Sequence, residues 1–162
     1  MAKLLAVGDA APDVTLPDQH GEPVRLSTLW RRGPLVVYFY PQDETPGCTK
    51  EACAFRDTFE VFSDAGATVA GISSDSVESH RRFAARHRLP FTLLADERDT
   101  ARKGFGVSKT LGLLGGRVTF VIDRKGTVRH VFSSRLFAAR HVGEALATVT
   151  SLHRGPRPAP PG

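Results

Sequence analysis

The chain has 162 residues, 41% hydrophobic and 24% charged, with a formal net charge of +5. That is enough for one soluble domain with a sizeable core. No run approaches the ~18 apolar residues of a membrane span. The basic residues Arg31-Arg32, Arg81-Arg82 and Lys103 alternate with acids instead of gathering with aromatics on one face, which argues against nucleic acid as partner.

After Met1–Val7, which lacks a signal peptide's apolar stretch, Val14–Leu16 and Pro23–Leu26 flank the turn Gln19-His20-Gly21 and predict a hairpin. By default the location expected is cytoplasmic, where a cysteine pair is more often redox-active than structural. Leu35–Tyr40 is an apolar, β-branched and aromatic run that predicts a buried strand, ended by Pro41. Thr45-Pro46-Gly47 is turn chemistry, and the spacing of Ala52, Phe55, Phe59 and Phe62 predicts a helix from about Cys48 to Ala65. Ala67–Ile72 reads as a second buried strand, and Ser76–His87 as an amphipathic helix with Val77, Phe83 and Ala84 inward.

A short strand over Phe91–Leu94 and a short helix over Thr100–Phe105 follow. Val118–Ile122 and Val128–Phe132 enclose the turn Asp123-Arg124-Lys125-Gly126 and predict another hairpin, and alanine-rich Ala138–Leu152 a last helix. This alternation indicates an α/β fold: a mixed central sheet flanked by helices, with an N-terminal hairpin extension. Residues 1–152 form a single domain in this reading. Residues 153–162 hold four prolines, which neither continue a helix nor join a sheet, and read as a disordered tail.

Cys48 and Cys53 are the only cysteines. Cys48 falls at a helix start on a loop leaving a strand, where unpaired N–H groups and the helix dipole favour an anion, and the thiolate is the nucleophilic form. Cys53 lies on a different face of the same helix. In an intact helix positions i and i+5 have Cα atoms roughly 8–9 Å apart, whereas a disulfide needs less than about 7 Å. A bond between them requires the helix to unwind, so it would be a switch and not a staple. Two cysteines are also often inert core residues. Zinc does not fit, because C-x4-C offers two ligands and His20, His80 and His87 show no ligand spacing. C-x-x-C is absent too.

The string Pro41-x-x-x-Thr45-x-x-Cys48 resembles the active-site signature of peroxiredoxins, and T-K-E-A-C, ending at Cys53, resembles the bacterioferritin comigratory protein, or peroxiredoxin Q, branch. G-D-A-A-P-D-V-T-L-P-D-Q-H-G from Gly8 and F-G-V-S-K-T-L-G-L-L-G-G-R-V-T-F-V-I-D-R-K-G from Phe105 are similar to the family's opening and later half. Ser133 departs from it, where asparagine is commoner.

The resemblance implies a thioredoxin-like fold and a thiol peroxidase for hydrogen peroxide and organic hydroperoxides. Cys48 would be the peroxidatic cysteine and Cys53 the resolving one, with thioredoxin or a similar dithiol as reductant. It implies further that Arg117 holds the thiolate and the peroxide, that Glu51 orients Arg117, that Thr45 places a hydroxyl beside the sulfur, and that Pro41 shields it. No cofactor or metal is called for. The resemblance also implies a monomer, consistent with both cysteines residing in one chain. Leu113 and Leu114 are candidates for lining the peroxide cavity. His20, His87 and the loop Gly112–Gly116 read as structural; the glycine spacing is not that of a phosphate loop.

Overall fold

The computed structural model describes residues 3–107, 109–110, 114–115, 117–133 and 138–154. In chain order the elements are β1 (Thr15–Pro17), β2 (Pro23–Arg25), α1 (Leu26–Trp30), β3 (Leu35–Phe39), α2 (Pro46–Asp57) and α3 (Phe59–Asp64). They continue with β4 (Thr68–Ser73), α4 (Val77–His87), β5 (Thr92–Ala95), α5 (Thr100–Phe105), β6 (Lys109–Thr110) and β7 (Leu114–Gly115). Last come β8 (Val118–Ile122), β9 (Val128–Ser133) and α6 (Ala138–Arg154).

The central sheet has five strands in the order β5-β4-β3-β8-β9. β3 and β4 pair in parallel, as do β4 and β5, while β8 runs antiparallel to both β3 and β9. This is the mixed sheet expected. Because both faces are covered, β3, β4, β5 and β8 are largely apolar instead of strictly alternating, while the edge strand β9 carries Arg129, His130 and Ser133. Leu35, Val37 and Phe39 enter a core shared with α1, α5 and the N-terminal segment. Val36, Tyr38 and Tyr40 enter the opposite one with Cys48, Phe55, Phe83 and Val142. Helices α2, α4 and α6 therefore cover the face on which Cys48 lies.

The N-terminal hairpin forms as expected, with β1 antiparallel to β2. Gln19 ties it to the sheet edge: its Nε2 donates to the Phe91 carbonyl at 3.2 Å, and its Oε1 accepts from Leu93 N at 3.0 Å. The β8–β9 turn is held by Asp123 Oδ1, which accepts from Lys125 N at 2.9 Å and Thr127 N at 3.0 Å. Gly126 closes this turn at φ 81°, and a Cβ there would lie 3.0 Å from the Trp30 indole, so glycine is required twice over.

Four details differ from the sequence reading. The helix expected over Cys48–Ala65 is two helices, broken at Thr58, whose Oγ1 donates back to the Ala54 carbonyl at 2.9 Å. The short helix α1 was not foreseen; five residues are too few to display a period. In α4, His80 is buried with Phe83 and Ala84, while Val77 is only half-buried. Helix α6 runs past Leu152 to Arg154. Residues 155–162 and Leu113, and the side chain of Leu114, lie outside the described residues. Among those described, no helix is long and apolar enough to cross a membrane.

Candidate active site

Tyr40 continues the line of β3, donating its N–H to the Ile72 carbonyl at 3.1 Å. Beyond it a loop leads from half-buried Pro41 to Thr45, the N-cap of α2, with Pro46 in the first helical position. Cys48 is the third residue of that helix, within the turn whose free N–H groups favour an anion. Its side chain is buried, 1% exposed. The Thr45 hydroxyl donates to the Gln42 carbonyl at 2.9 Å and so braces the loop, while the Thr45 carbonyl accepts the first helical bond from Thr49 N at 2.8 Å.

Arg117 arrives from the other side. Phe39 pairs with Val118 in the antiparallel register of β3 and β8, so Arg117 stands level with Tyr40, where the loop to α2 begins. Its guanidinium is forked. Nη2 donates to Cys48 Sγ at 3.3 Å, and Nη1 to Glu51 Oε1 at 2.7 Å. Glu51 is one turn after Cys48 and fully buried. Burial pushes its carboxyl up to about 8, and Arg117 pulls the other way without overcoming it. Burial works against the charge of Arg117 as well, but Glu51 and Cys48 more than offset it, and the guanidinium is held above its ordinary value. Gly47 completes the arrangement: a Cβ there would lie 3.0 Å from Arg117 Nη2.

Two buried groups behind this trio, His141 and Thr119, were missed by the sequence reading. His141 of α6 shares a 2.7 Å hydrogen bond with Thr119 Oγ1 through Nδ1, which also lies 3.6 Å from Glu51 Oε2. Thr119 is two positions beyond Arg117 on β8, so strand period alone could have flagged it as sharing that face; His141 offered no such sign.

The loop has its own anchor. Asp43 accepts from Tyr40 Oη at 2.5 Å and Ser79 Oγ at 2.9 Å, and lies 2.7 Å from His80 Nδ1. His80 Nε2 donates to the Leu94 carbonyl at 3.0 Å, and Asp43 N donates to Asp75 at 2.8 Å. The loop is thus pinned to α4 and to the end of β5.

The fold therefore brings Cys48, Glu51 and Arg117 into direct contact, with Thr45 and Pro41 on the loop that delivers the helix. Cys53 is apart from them, half-buried on another face of α2, with Sγ 4.0 Å from His87 Nδ1. Both cysteines are free thiols within one helix. The group can hold a thiolate beside a fixed cation in a site closed to bulk water, which suits attack on a small electrophile.

The profile of the AhpC/TSA family matches residues 7–131. Among curated proteins, the chloroplastic peroxiredoxin Q of Sedum lineare is 52% identical over 146 residues, covering 90% of this chain and 78% of that protein. The chloroplastic peroxiredoxin Q of Oryza sativa subsp. japonica is 51% identical over the same length, covering 67% of that protein. Among solved structures, the peroxidoxin BcpB of Mycobacterium tuberculosis has 45% identity and a TM-score of 0.83, covering 90% of this chain and 96% of that one. The bacterioferritin comigratory protein of Xanthomonas campestris has 31% identity and a TM-score of 0.77, covering 94% and 99%. The thioredoxin-like fold expected from the sequence is the fold these structures share.

One expectation is overturned. The location expected by default was cytoplasmic, but relatives at 49–52% identity are named as chloroplastic proteins, which overturns that expectation. Signal-peptide logic tests only for secretion and does not choose among compartments inside the cell. The profile match, the identities and the shared fold make the chain a member of the AhpC/TSA family, a peroxiredoxin of the peroxiredoxin Q branch.

Proposed function

We propose that the chain reduces hydrogen peroxide and organic hydroperoxides at Cys48, resolves the product with Cys53, and is recycled by thioredoxin or a similar dithiol protein. The observation that carries this reading is the Arg117 fork, one arm on Cys48 Sγ and the other on Glu51. The thiolate attacks one peroxide oxygen, the S–O bond forms as O–O breaks, and the second oxygen leaves with the electron pair. It takes up a proton as water or alcohol. Arg117 is always charged and presents donors in a rigid plane, so it stabilises the negative charge as it moves from sulfur to the leaving oxygen.

Glu51 holds the other arm and fixes where the charge points. Thr45, whose hydroxyl now rests on the Gln42 carbonyl, reaches the peroxide by rotation about χ1. Pro41 shields the loop side of the sulfur. Organic hydroperoxides are included because the Xanthomonas campestris relative is described for its alkyl peroxide reduction activity.

Cys48 is left as a sulfenic acid. The Cys53 thiol condenses with it, forming S–S and releasing water, and an external dithiol then takes over the disulfide. The whole cycle runs within one chain, so a monomer suffices. No cofactor takes part in these steps. Cys48→Ser should abolish peroxide reduction, and Cys53→Ser should complete one turnover and stop at the sulfenic acid. Sustained thioredoxin-dependent peroxidase activity in the Cys48→Ser protein would overturn the reading.

A further inference from the structure

Cys53 has a polar cluster of its own, separate from the Arg117 site. His87, the last residue of α4, presents Nδ1 to Cys53 Sγ at 4.0 Å. On the far side of the ring, buried Nε2 lies 3.7 Å from Glu44 Oε2 and makes no hydrogen bond. Phe83 packs edge-on against the imidazole, with centroids 5.1 Å apart. Arg56, one turn after Cys53, donates Nη1 to the His87 carbonyl at 2.8 Å and bonds Asp57 through Nε at 3.0 Å. Arg86, beside His87 on α4, lies 3.5 Å from the same Glu44 oxygen. The charged groups facing the ring are thus Glu44 from the loop, Arg56 from α2 and Arg86 from α4.

The geometry points to His87 as the base of the resolving step, taking the proton of the Cys53 thiol while Glu44 orients the ring. The inference rests on Cys53 being the resolving cysteine. A carboxylate facing Nε2 favours the tautomer with N–H on that side, which leaves the Nδ1 lone pair toward the sulfur. Nucleophile, base and orienting carboxylate then stand in the order that activated nucleophiles use.

In the step, the Cys53 S–H proton passes to Nδ1, and the thiolate attacks the Cys48 sulfenic sulfur. The S–S bond forms as S–O breaks, and the leaving hydroxide takes the proton back from the imidazolium as water. Cys53 sulfur is oxidised and Cys48 sulfur reduced. The anchors suit this motion. Arg56 ties the C-terminal half of α2 to the His87 carbonyl, and Asp43 ties down the loop, so the stretch free to open is Pro46–Ala52. Glu44, two residues before it, holds a left-handed φ of 67°, a conformation costly for a non-glycine residue.

The test mixes the reduced full-length protein with one equivalent of hydrogen peroxide and quenches by alkylation over a time course. Mass spectrometry then counts Cys48 sulfenic acid and the Cys48–Cys53 disulfide from about pH 5 to about 9. In His87→Ala and His87→Gln, disulfide formation near neutral pH should slow about tenfold or more, with sulfenic acid accumulating. The imidazole inflection in its pH profile should vanish, and added imidazole should speed the His87→Ala protein. Glu44→Gln should slow the step by less. Sulfenic acid formation in the same traces reports whether the Cys48 site has kept its fold. Wild-type disulfide rates in both His87 variants, or slowing with an unchanged pH profile, overturn the role of His87. If the wild-type chain never forms the Cys48–Cys53 bond, the resolving role of Cys53 falls, and the base with it.

Discussion

Arg117 and Cys48 are 69 positions apart in the chain, yet Nη2 meets Sγ at 3.3 Å. Sheet register makes the contact: antiparallel pairing of Phe39 with Val118 starts β8 beside the end of β3, where the chain turns toward α2. The helix start and the cation are thus brought together by one pair of buried strands, and neither depends on a long loop for its position.

Replacing Arg117 with alanine should slow oxidation of Cys48 by hydrogen peroxide about a hundredfold or more. Arg117→Lys keeps a charge but loses the fork that spans Glu51 and the sulfur, so it should recover only part of the rate. Burial already holds Glu51 up at about 8, so near neutral pH losing its partner leaves no bare buried carboxylate and the fold survives. Stopped-flow oxidation of the three proteins decides it. Equal rates would leave Arg117 a structural residue.

Gly47 separates rate from stability. Alanine there would place a Cβ 3.0 Å from Arg117 Nη2, against the arm that reaches the sulfur. Alanine also favours the helix over glycine, by up to ~1 kcal/mol. Gly47→Ala should therefore lower the peroxide rate several-fold while the thermal midpoint holds or rises. A midpoint that falls with the rate would mean a damaged helix instead of a displaced guanidinium.

Glu51 links stability to pH with a definite sign. Between its ordinary value of 4.5 and about 8, the folded chain keeps a proton that the unfolded chain has lost. Stability is therefore lost as pH rises through this window, its contribution whole below it and gone above it. Glu51→Gln cannot titrate. Urea unfolding midpoints across the window should fall in the wild type and flatten in the variant; parallel curves would assign the dependence to another group.

What was legible in the sequence was local. The strand–turn–helix around Cys48, the two hairpins and the amphipathic α4 all announce themselves within a dozen residues, through turn chemistry and period. Contacts across the sheet do not. Arg117 reaches Glu51 over 66 positions, and only family resemblance, not spacing, brought it to Cys48. The burial of His80 was invisible for the same reason: Asp43 and the Leu94 carbonyl, which satisfy its two nitrogens, come from other elements. The contacts of His87 with Cys53 and Glu44 span 34 and 43 positions, so no local pattern displays them. The break at Thr58 escaped because the apolar period continues through it.

The five-residue spacing makes one more demand, on motion. Cys48 and Cys53 lie in the continuous helix α2 as free thiols, and at that spacing their Cα atoms are roughly 8–9 Å apart. A disulfide cannot span that without backbone movement. Opening must break the first turns of α2, expose Cys48 and part its sulfur from Arg117, so the oxidised chain gives up the contacts that make the reduced one reactive. Beyond the opening, Arg56 holds the C-terminal half of α2 to α4, which sets a boundary on the unwinding. Hydrogen exchange should therefore show low protection for amides of about 46–52 in the disulfide form and high protection beyond Arg56 in both forms. The same segment in the reduced protein should exchange faster than β3, since the cycle needs its opening to be accessible. Equal protection around Cys53 in both states, with the intramolecular bond confirmed by mass, would refute the unwinding.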